Sequence, residues 1–272
     1  MSKGKIVGII AIKGGVGKTT AVTNLAYVLS NVYNKKVLVI DGNFSAPTLA
    51  LYLGLKNYNF TVHDILNDKV PASDAIIKSS HGFDVIPSSL VPKKINPYEL
   101  KNKIEHLKEF YDVILLDSSP NLNEEILATM VSSDELFVVT TPDQPTLKST
   151  VNAVSVATKR KTPIVGILLN RVRDKGFEVN INDVELATSV PVLAVLPDEI
   201  KVLEALSKSM PITAHSPKSE VSMEYKKLGG CIIGENYQDK RLKTKLGKLF
   251  AKNMPKQDIN RFCLVESLKN NK

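Results

Sequence analysis

Cysteine is nearly absent from this chain. Cys231 and Cys263 are the only two among 272 residues, far apart and outside any C-x-x-C arrangement. That excludes a disulfide framework and a cysteine-built metal site, and makes a reducing cytoplasm the default compartment. No apolar run is long enough to cross a bilayer. Met1-Ser2-Lys3-Gly4-Lys5 leads straight into the first apolar run with no signal-peptide pattern, so the protein is expected to be soluble or at most peripheral on a membrane. The four histidines, His63, His81, His106 and His215, lack metal-ligand spacing, and no Ser-His-Asp arrangement can be argued from residue order. Internal repeats and low-complexity linkers are missing too. What is present, 43% hydrophobic residues, suffices for a large core, as one big α/β domain or two small ones.

Charge is unevenly spread. Ten Lys/Arg and three Asp/Glu fall in Gln238–Lys272, which gives that tail +7 and leaves +1 of the net +8 for residues 1–237. Such asymmetry marks an attachment segment for an anionic surface. The boundary suggested by composition lies near Gly234, with a domain over 1–235 and a basic amphipathic tail over 236–272.

Along the body, short β-branched runs alternate with helix-period segments, the pattern of βαβ units. Strands are expected at Ile6–Ile12, Val37–Ile40, Phe83–Ile86, Val113–Leu116, Leu136–Thr140, Ile164–Asn170 and Val192–Leu196. They are continuous rather than alternating apolar runs, as in a parallel sheet covered on both faces. Helices are expected at Thr19–Ser30, Ile95–Phe110, Glu124–Val131, Thr146–Ala157, Val202–Lys208 and Glu220–Ile233. The fold class is α/β, a doubly wound, mainly parallel sheet flanked by helices.

Lys13-Gly14-Gly15-Val16-Gly17-Lys18-Thr19-Thr20 lies between the first strand and the first helix. Strand, glycine-rich loop and helix form the context a phosphate-binding loop needs. The glycines let backbone N–H groups turn onto phosphate oxygens, and the helix adds the positive end of its dipole. Lys18 would reach the β- and γ-phosphates, and the Thr19 hydroxyl would be a Mg²⁺ ligand. The strict G-x-x-x-x-G-K-[ST] pattern is not met, because Ile12 stands where its first glycine belongs. A second lysine, Lys13, opens the loop instead.

That variant, KGGxGKT[ST], resembles the deviant Walker A ATPases of the MinD/ParA/Mrp group. The resemblance covers about residues 4–235 and implies an ATPase with ATP and Mg²⁺ as cofactors. It implies that Lys13 crosses a homodimer interface to the partner's ATP, so that ATP joins two subunits and hydrolysis separates them. Asp41 opens the family's second motif, D-x-D in relatives, where the first aspartate supports Mg²⁺ through water and the second orients the attacking water. Here the second position is Asn43. An amide can hold a water but cannot take its proton, so hydrolysis is expected to be slow and the ATP-bound state persistent.

Tyr111–Asp117 matches a Walker B strand, with Asp117 holding Mg²⁺ through water. Ser118-Ser119-Pro120 begins the second switch, and Asn121 stands near a glycine of relatives, a position where Asn tolerates left-handed backbone. By the same resemblance Asn170-Arg171 and Pro197-Asp198 form the adenine site. Thr141-Pro142-Asp143 is read as structural.

In the tail, Leu242, Leu246, Leu249 and Phe250 fall on one helical stripe with Lys243, Lys245 and Lys248 off it and Lys252 following. A basic amphipathic helix reads as interfacial, and MinD proteins end in a similar one. Three readings stay open: an anionic membrane surface bound through 240–252, a helix packed on its own domain, or a nucleic-acid or protein partner. Met254–Lys272 continues as a short helix or an extension. The leading function is a MinD-like spatial switch at the inner face of the cell membrane, acting on an unidentified protein partner. A ParA-type switch holding DNA nonspecifically ranks lower, since no recognition motif is visible. An ATP-clamped scaffold with little hydrolysis remains, while an iron–sulfur carrier of Mrp type lacks its C-x-x-C pair.

Overall fold

The computed structural model describes residues 3–91, 93–239 and 254–270. The first half runs β1 (Lys5–Ile10), α1 (Lys18–Asn31), β2 (Val37–Gly42), α2 (Leu49–Tyr52), α3 (Val62–Leu66), β3 (Ile77–Lys78), β4 (Asp84–Ile86), α4 (Leu100–Ile104) and β5 (Val113–Ser118). There follow α5 (Glu124–Ser132), β6 (Glu135–Thr140), α6 (Gln144–Lys159), β7 (Ile164–Val172), α7 (Ile181–Thr188), β8 (Val192–Pro197), α8 (Ile200–Ser207), α9 (Ile212–His215), α10 (Glu220–Ile232) and α11 (Lys256–Asn270). One sheet holds the strands in the order β3-β4-β2-β5-β1-β6-β7-β8. Every neighbouring pair is parallel except β3 with β4.

The continuous apolar runs are strands buried on both faces, as their composition requires. Alternate residues of β1 point opposite ways. Val7 and Ile9 pack with Leu25 and Leu29 of α1 and Tyr225 and Leu228 of α10. Ile6 joins Leu38 and Ile114 against Val62 and Ile65 of α3 and Leu100 and Ile104 of α4. Ile10 lies with Leu136 and Ile167 against Ile126 and Met130 of α5 and Ala153 of α6. Each such side chain contributes on the order of 1.5–3 kcal/mol on burial.

The helix expected over Ile95–Phe110 is broken. Pro97 opens a tight 3₁₀ turn capped by Asn96, α4 follows as a single short stretch, and Glu105–Glu109 tightens again into 3₁₀. The short elements α2, α3, α7, α9 and β3 were not foreseen, because helices of four to eight residues and a strand of two are too short for a periodic signal.

β8 ends the strand order, and α11 seals it. The Val192 carbonyl accepts from Asn260 Nδ2 at 2.9 Å and the Leu193 carbonyl from Arg261 Nη1 at 2.6 Å. Arg261 is buried and also pairs with Glu224 of α10 at 2.9 Å and with Asp258. A helix laid on a sheet edge satisfies polar groups that would otherwise template further pairing. The C-terminal part of the basic tail is therefore seated on the domain. The helix expected at Leu242–Phe250 lies outside the described residues. Among those described, no helix is long and apolar enough to cross a membrane.

Candidate functional site

β1 delivers its loop to the carboxyl edge of the sheet, where ligands of open α/β folds sit. Gly15 and Gly17 both have positive φ, 75° and 101°. Gly17 is also closely approached: a Cβ there would lie 2.3 Å from Asn170 Nδ2. It is the N-cap of α1, with no side-chain cap and no acid in the first turn. The first N–H groups of the 14-residue helix thus remain available to an anion. Lys18 opens α1 and is buried. Burial pulls its pKa below the ordinary lysine value, and the neighbouring Asp117 charge opposes that pull.

β2 and β5 lie side by side with Asp41 and Asp117 in register at their carboxyl ends. Both carboxylates are buried. Burial first, and then the charge of Asp117, push Asp41 well above the usual carboxylate range. Burial likewise raises Asp117, against the Thr19 hydrogen bond and the Lys18 charge. Thr19 Oγ1 donates to Asp117 Oδ2 at 2.6 Å and stands 3.5 Å from Thr48 Oγ1. Asp117 Oδ1 is buried with no hydrogen-bond partner.

Two adjacent buried acids, a hydroxyl already on one of them and an orphaned oxygen fit a divalent cation. Among the described residues no group of three or more His, Cys, Asp and Glu forms a complete cage. That matches Mg²⁺, which keeps waters and takes phosphate oxygens rather than an all-protein shell.

Asn43 follows at the same edge and is 8% exposed. Its N–H donates to Asp41 Oδ1 at 3.1 Å, its Nδ2 donates to the Ala46 carbonyl, and its Oδ1 is buried without a partner. On the second switch, Asn121 takes the left-handed backbone expected of it, φ 70°, and its N–H reaches the Ile12 carbonyl at 2.7 Å. The turn survives without a glycine.

The ends of β7 and β8 lie beside this group. Asn170 Nδ2 donates to the Val16 carbonyl at 2.7 Å, so an amide expected at the base also braces the loop. Arg171 is exposed, with φ 59°. Pro197 ends β8, and Asp198 carries a salt bridge from Arg173 Nε at 2.7 Å. Lys13 lies at the outer end of the loop, half exposed, with Nζ 2.7 Å from Thr146 Oγ1 and 3.3 Å from Asp143 Oδ1. Asp143 caps α6, as its structural reading has it. Burial alone would raise its pKa, but hydrogen bonds from Thr141, Thr146 and Lys13 outweigh burial and hold it at about 2. Sequence reasoning missed Thr48 and Thr146, and also Glu125, whose Oε2 accepts from the Phe44 N–H at 3.0 Å. None of the three left a local trace, whereas Asp143, read as structural, is an Asp before Gln144-Pro145, the sign of a capped helix start.

A family model described as an AAA domain matches residues 4–164. An uncharacterised ATP-binding protein of Methanocaldococcus jannaschii is 32% identical over 84% of this chain and 88% of its own length. The cell division ATPase MinD of Pyrococcus furiosus superposes with a TM-score of 0.79 at 30% identity, covering 83% of this chain and 97% of that one. The septum site-determining protein MinD of Pyrococcus horikoshii, solved as its Mg-ADP complex, gives 0.79 at 29% identity over 92% and 99%.

Proposed function

Because the chain belongs to the AAA-domain family of P-loop ATPases, of the MinD/ParA type, we propose that it is a slow, nucleotide-gated switch that dimerises on Mg-ATP and attaches to an anionic membrane surface. Mg²⁺, when bound, neutralises charge on the phosphates. The rest falls to the side chains. The Gly14–Gly17 backbone and the α1 N-terminus cradle phosphate oxygens, and Lys18, buried beside Asp117, holds the outer phosphates. Thr19 would hold the cation, with Asp117 and Asp41 supporting it through water. Asn43 offers its orphaned Oδ1 to the attacking water but cannot accept its proton, which supports slow turnover. Asn170, Arg171, Pro197 and Asp198 form the side of the site where the base would lie.

The observation that carries the switch is Lys13. It stands at the outer rim, half exposed, with its ammonium on Asp143 and Thr146, whereas Lys18 is buried. A second cation in a phosphate loop, held at the surface, is suited to a phosphate presented by another subunit. Attachment rests on charge. Within the tail, Lys256, Arg261 and Lys269 are paired with Glu185, Glu224 and Glu266. Residues 240–252 hold six Lys/Arg and no acid. Each cation near an anionic leaflet contributes roughly 1 kcal/mol, and two copies per dimer multiply the effect through effective concentration.

The test is co-sedimentation of Mg-ATP-loaded protein with phosphatidylserine vesicles and, separately, with duplex DNA. Vesicle binding that depends on ATP and is lost when Lys243, Lys245, Lys248 and Lys252 become Ser supports the reading. Binding to DNA alone, with a steep salt slope, would replace it with the partition-type switch. Truncation after Gly234 is the wrong variant, since it also removes α11.

A further inference from the structure

The Phe44 backbone N–H does not bond within its own segment. It donates to Oε2 of Glu125, in the first turn of α5, at 3.0 Å. Within the segment that follows β2, Asp41 Oδ1 accepts from the Asn43 N–H at 3.1 Å and Asp41 Oδ2 from the Leu49 N–H at 3.3 Å, while Ser88 Oγ, beyond β4, donates to the Asp41 carbonyl at 2.7 Å. The Phe44 ring is buried edge-on to His63, centroids 5.8 Å apart at 81°, and His63 Nδ1 in turn accepts from the Ser89 N–H at 3.1 Å. The ring thus packs on α3 and the backbone N–H is held from α5.

Glu125 is joined by short steps to the segment behind Asp117. Ser119 Oγ donates to Asn123 Oδ1 at 2.9 Å, and that oxygen caps α5 by accepting from the Ile126 N–H at 3.1 Å. Asn123, with Ser119 on it, therefore fixes where α5 begins and hence where the Glu125 carboxylate lies. A carboxylate in a helix's first turn is favoured by the dipole, which steadies it further.

Asn43 sits between two fixed N–H groups, its own on Asp41 and the next on Glu125. Its Nδ2 is held by Ala46, leaving one buried oxygen without a donor. Such an oxygen, more than nine-tenths buried, is set for a donor that arrives with the ligand.

We propose that Glu125 is a positioning residue for ATP hydrolysis: by holding the Phe44 N–H it fixes the 43–44 peptide, aims Asn43 Oδ1 at the attacking water, and makes that aim follow the segment behind Asp117. This rests on the reading of Asn43 as the water-holding group. Glu125 acts through Asn43 and needs no contact with nucleotide.

The experiment compares wild type, Glu125→Ala and Glu125→Gln in three readouts: steady-state turnover at saturating Mg-ATP, affinity for a fluorescent ADP analogue, and amide exchange by mass spectrometry. Glu125→Ala should lower turnover at least fivefold while the nucleotide Kd stays within twofold. Glu125→Gln, which keeps an acceptor oxygen, should regain most of the rate. Exchange over residues 42–49 should quicken at least tenfold in Glu125→Ala while residues 5–10 stay protected. In an Asn43→Ala background the Glu125→Ala effect on rate should vanish. Turnover of Glu125→Ala within twofold of wild type, a loss of rate matched by an equal loss of affinity, or a Gln variant no better than Ala would each overturn the proposal. If wild type itself fails to turn over, the hydrolysis reading fails, and the exchange arm still decides the link: unchanged exchange over 42–49 rules it out, and faster exchange supports it.

Discussion

The amide at position 43 makes a bond that an aspartate could not. Its Nδ2 donates to the Ala46 carbonyl, and a carboxylate placed there would set two acceptors against each other, close to the buried Asp41 and Asp117. An unmet buried acceptor costs about 1–3 kcal/mol. Asn43→Asp should therefore melt roughly 2–10 °C below wild type without nucleotide, yet turn over Mg-ATP faster, because a carboxylate can take the water's proton. Thermal melting and phosphate release check the two halves, and no gain in rate would count against Asn43 as the brake. Asp143 offers a test of a different kind. Its folded pKa, about 2, lies below the ordinary value of 3.8, so the unfolded chain takes up the proton first as pH falls. Its stabilising effect is complete above pH 4 and fades on the way down to pH 2. Asp143→Asn keeps the helix cap and removes the charge that meets Lys13, so the melting gap between wild type and this variant should close over that window.

Helix α11 takes the helical one of the two readings open for Met254–Lys272, but its seat on the domain was hidden in the sequence. Its mean hydropathy is low, and its anchor is an arginine, which any reading by charge assigns to solvent. The structure buries Arg261 against Glu224, Asp258 and the Leu193 carbonyl. Removing one partner of a buried pair typically costs 3–5 kcal/mol. Arg261→Ala should lower the urea-unfolding free energy by about that much, whereas Lys269→Ala, on the exposed face of the same helix, should change it by less than 1 kcal/mol. The same contrast explains what could be read from sequence in the site. The loop, Asp41 and Asp117 were legible because each terminates a continuous apolar strand, a purely local signal. Thr48, Thr146 and Glu125 were not, since they meet Thr19, Lys13 and Phe44 across separations of 29, 133 and 81 residues. Only the strand order β4-β2-β5-β1-β6 brings those pairs together. The broken stretch from 97 to 109 belongs with them, because helical spacing of apolar residues does not distinguish one α-helix from short pieces in 3₁₀ and α form.

Over the whole molecule, the two ends of the charge distribution have separate tasks. Asp41 and Asp117 are buried at the carboxyl edge of the sheet, where the proposed function places the cation, and Lys13 lies half exposed at the rim on Asp143 and Thr146. In sequence the six cations of 240–252 fall between Asp239 and the seated helix α11, so a surface that attracts them would draw the domain along. Two such segments in one dimer would hold a membrane far better than one. The account therefore depends first on whether ATP makes two copies into one particle. Sedimentation velocity of the full chain with Mg²⁺ and a non-hydrolysable ATP analogue measures this directly. The predicted result is a doubling of mass with the analogue and none with ADP, and a Lys13→Ala protein that binds nucleotide with unchanged affinity but stays a monomer. A wild-type mass that does not change with the analogue, or a Lys13→Ala dimer as tight as wild type, would contradict it.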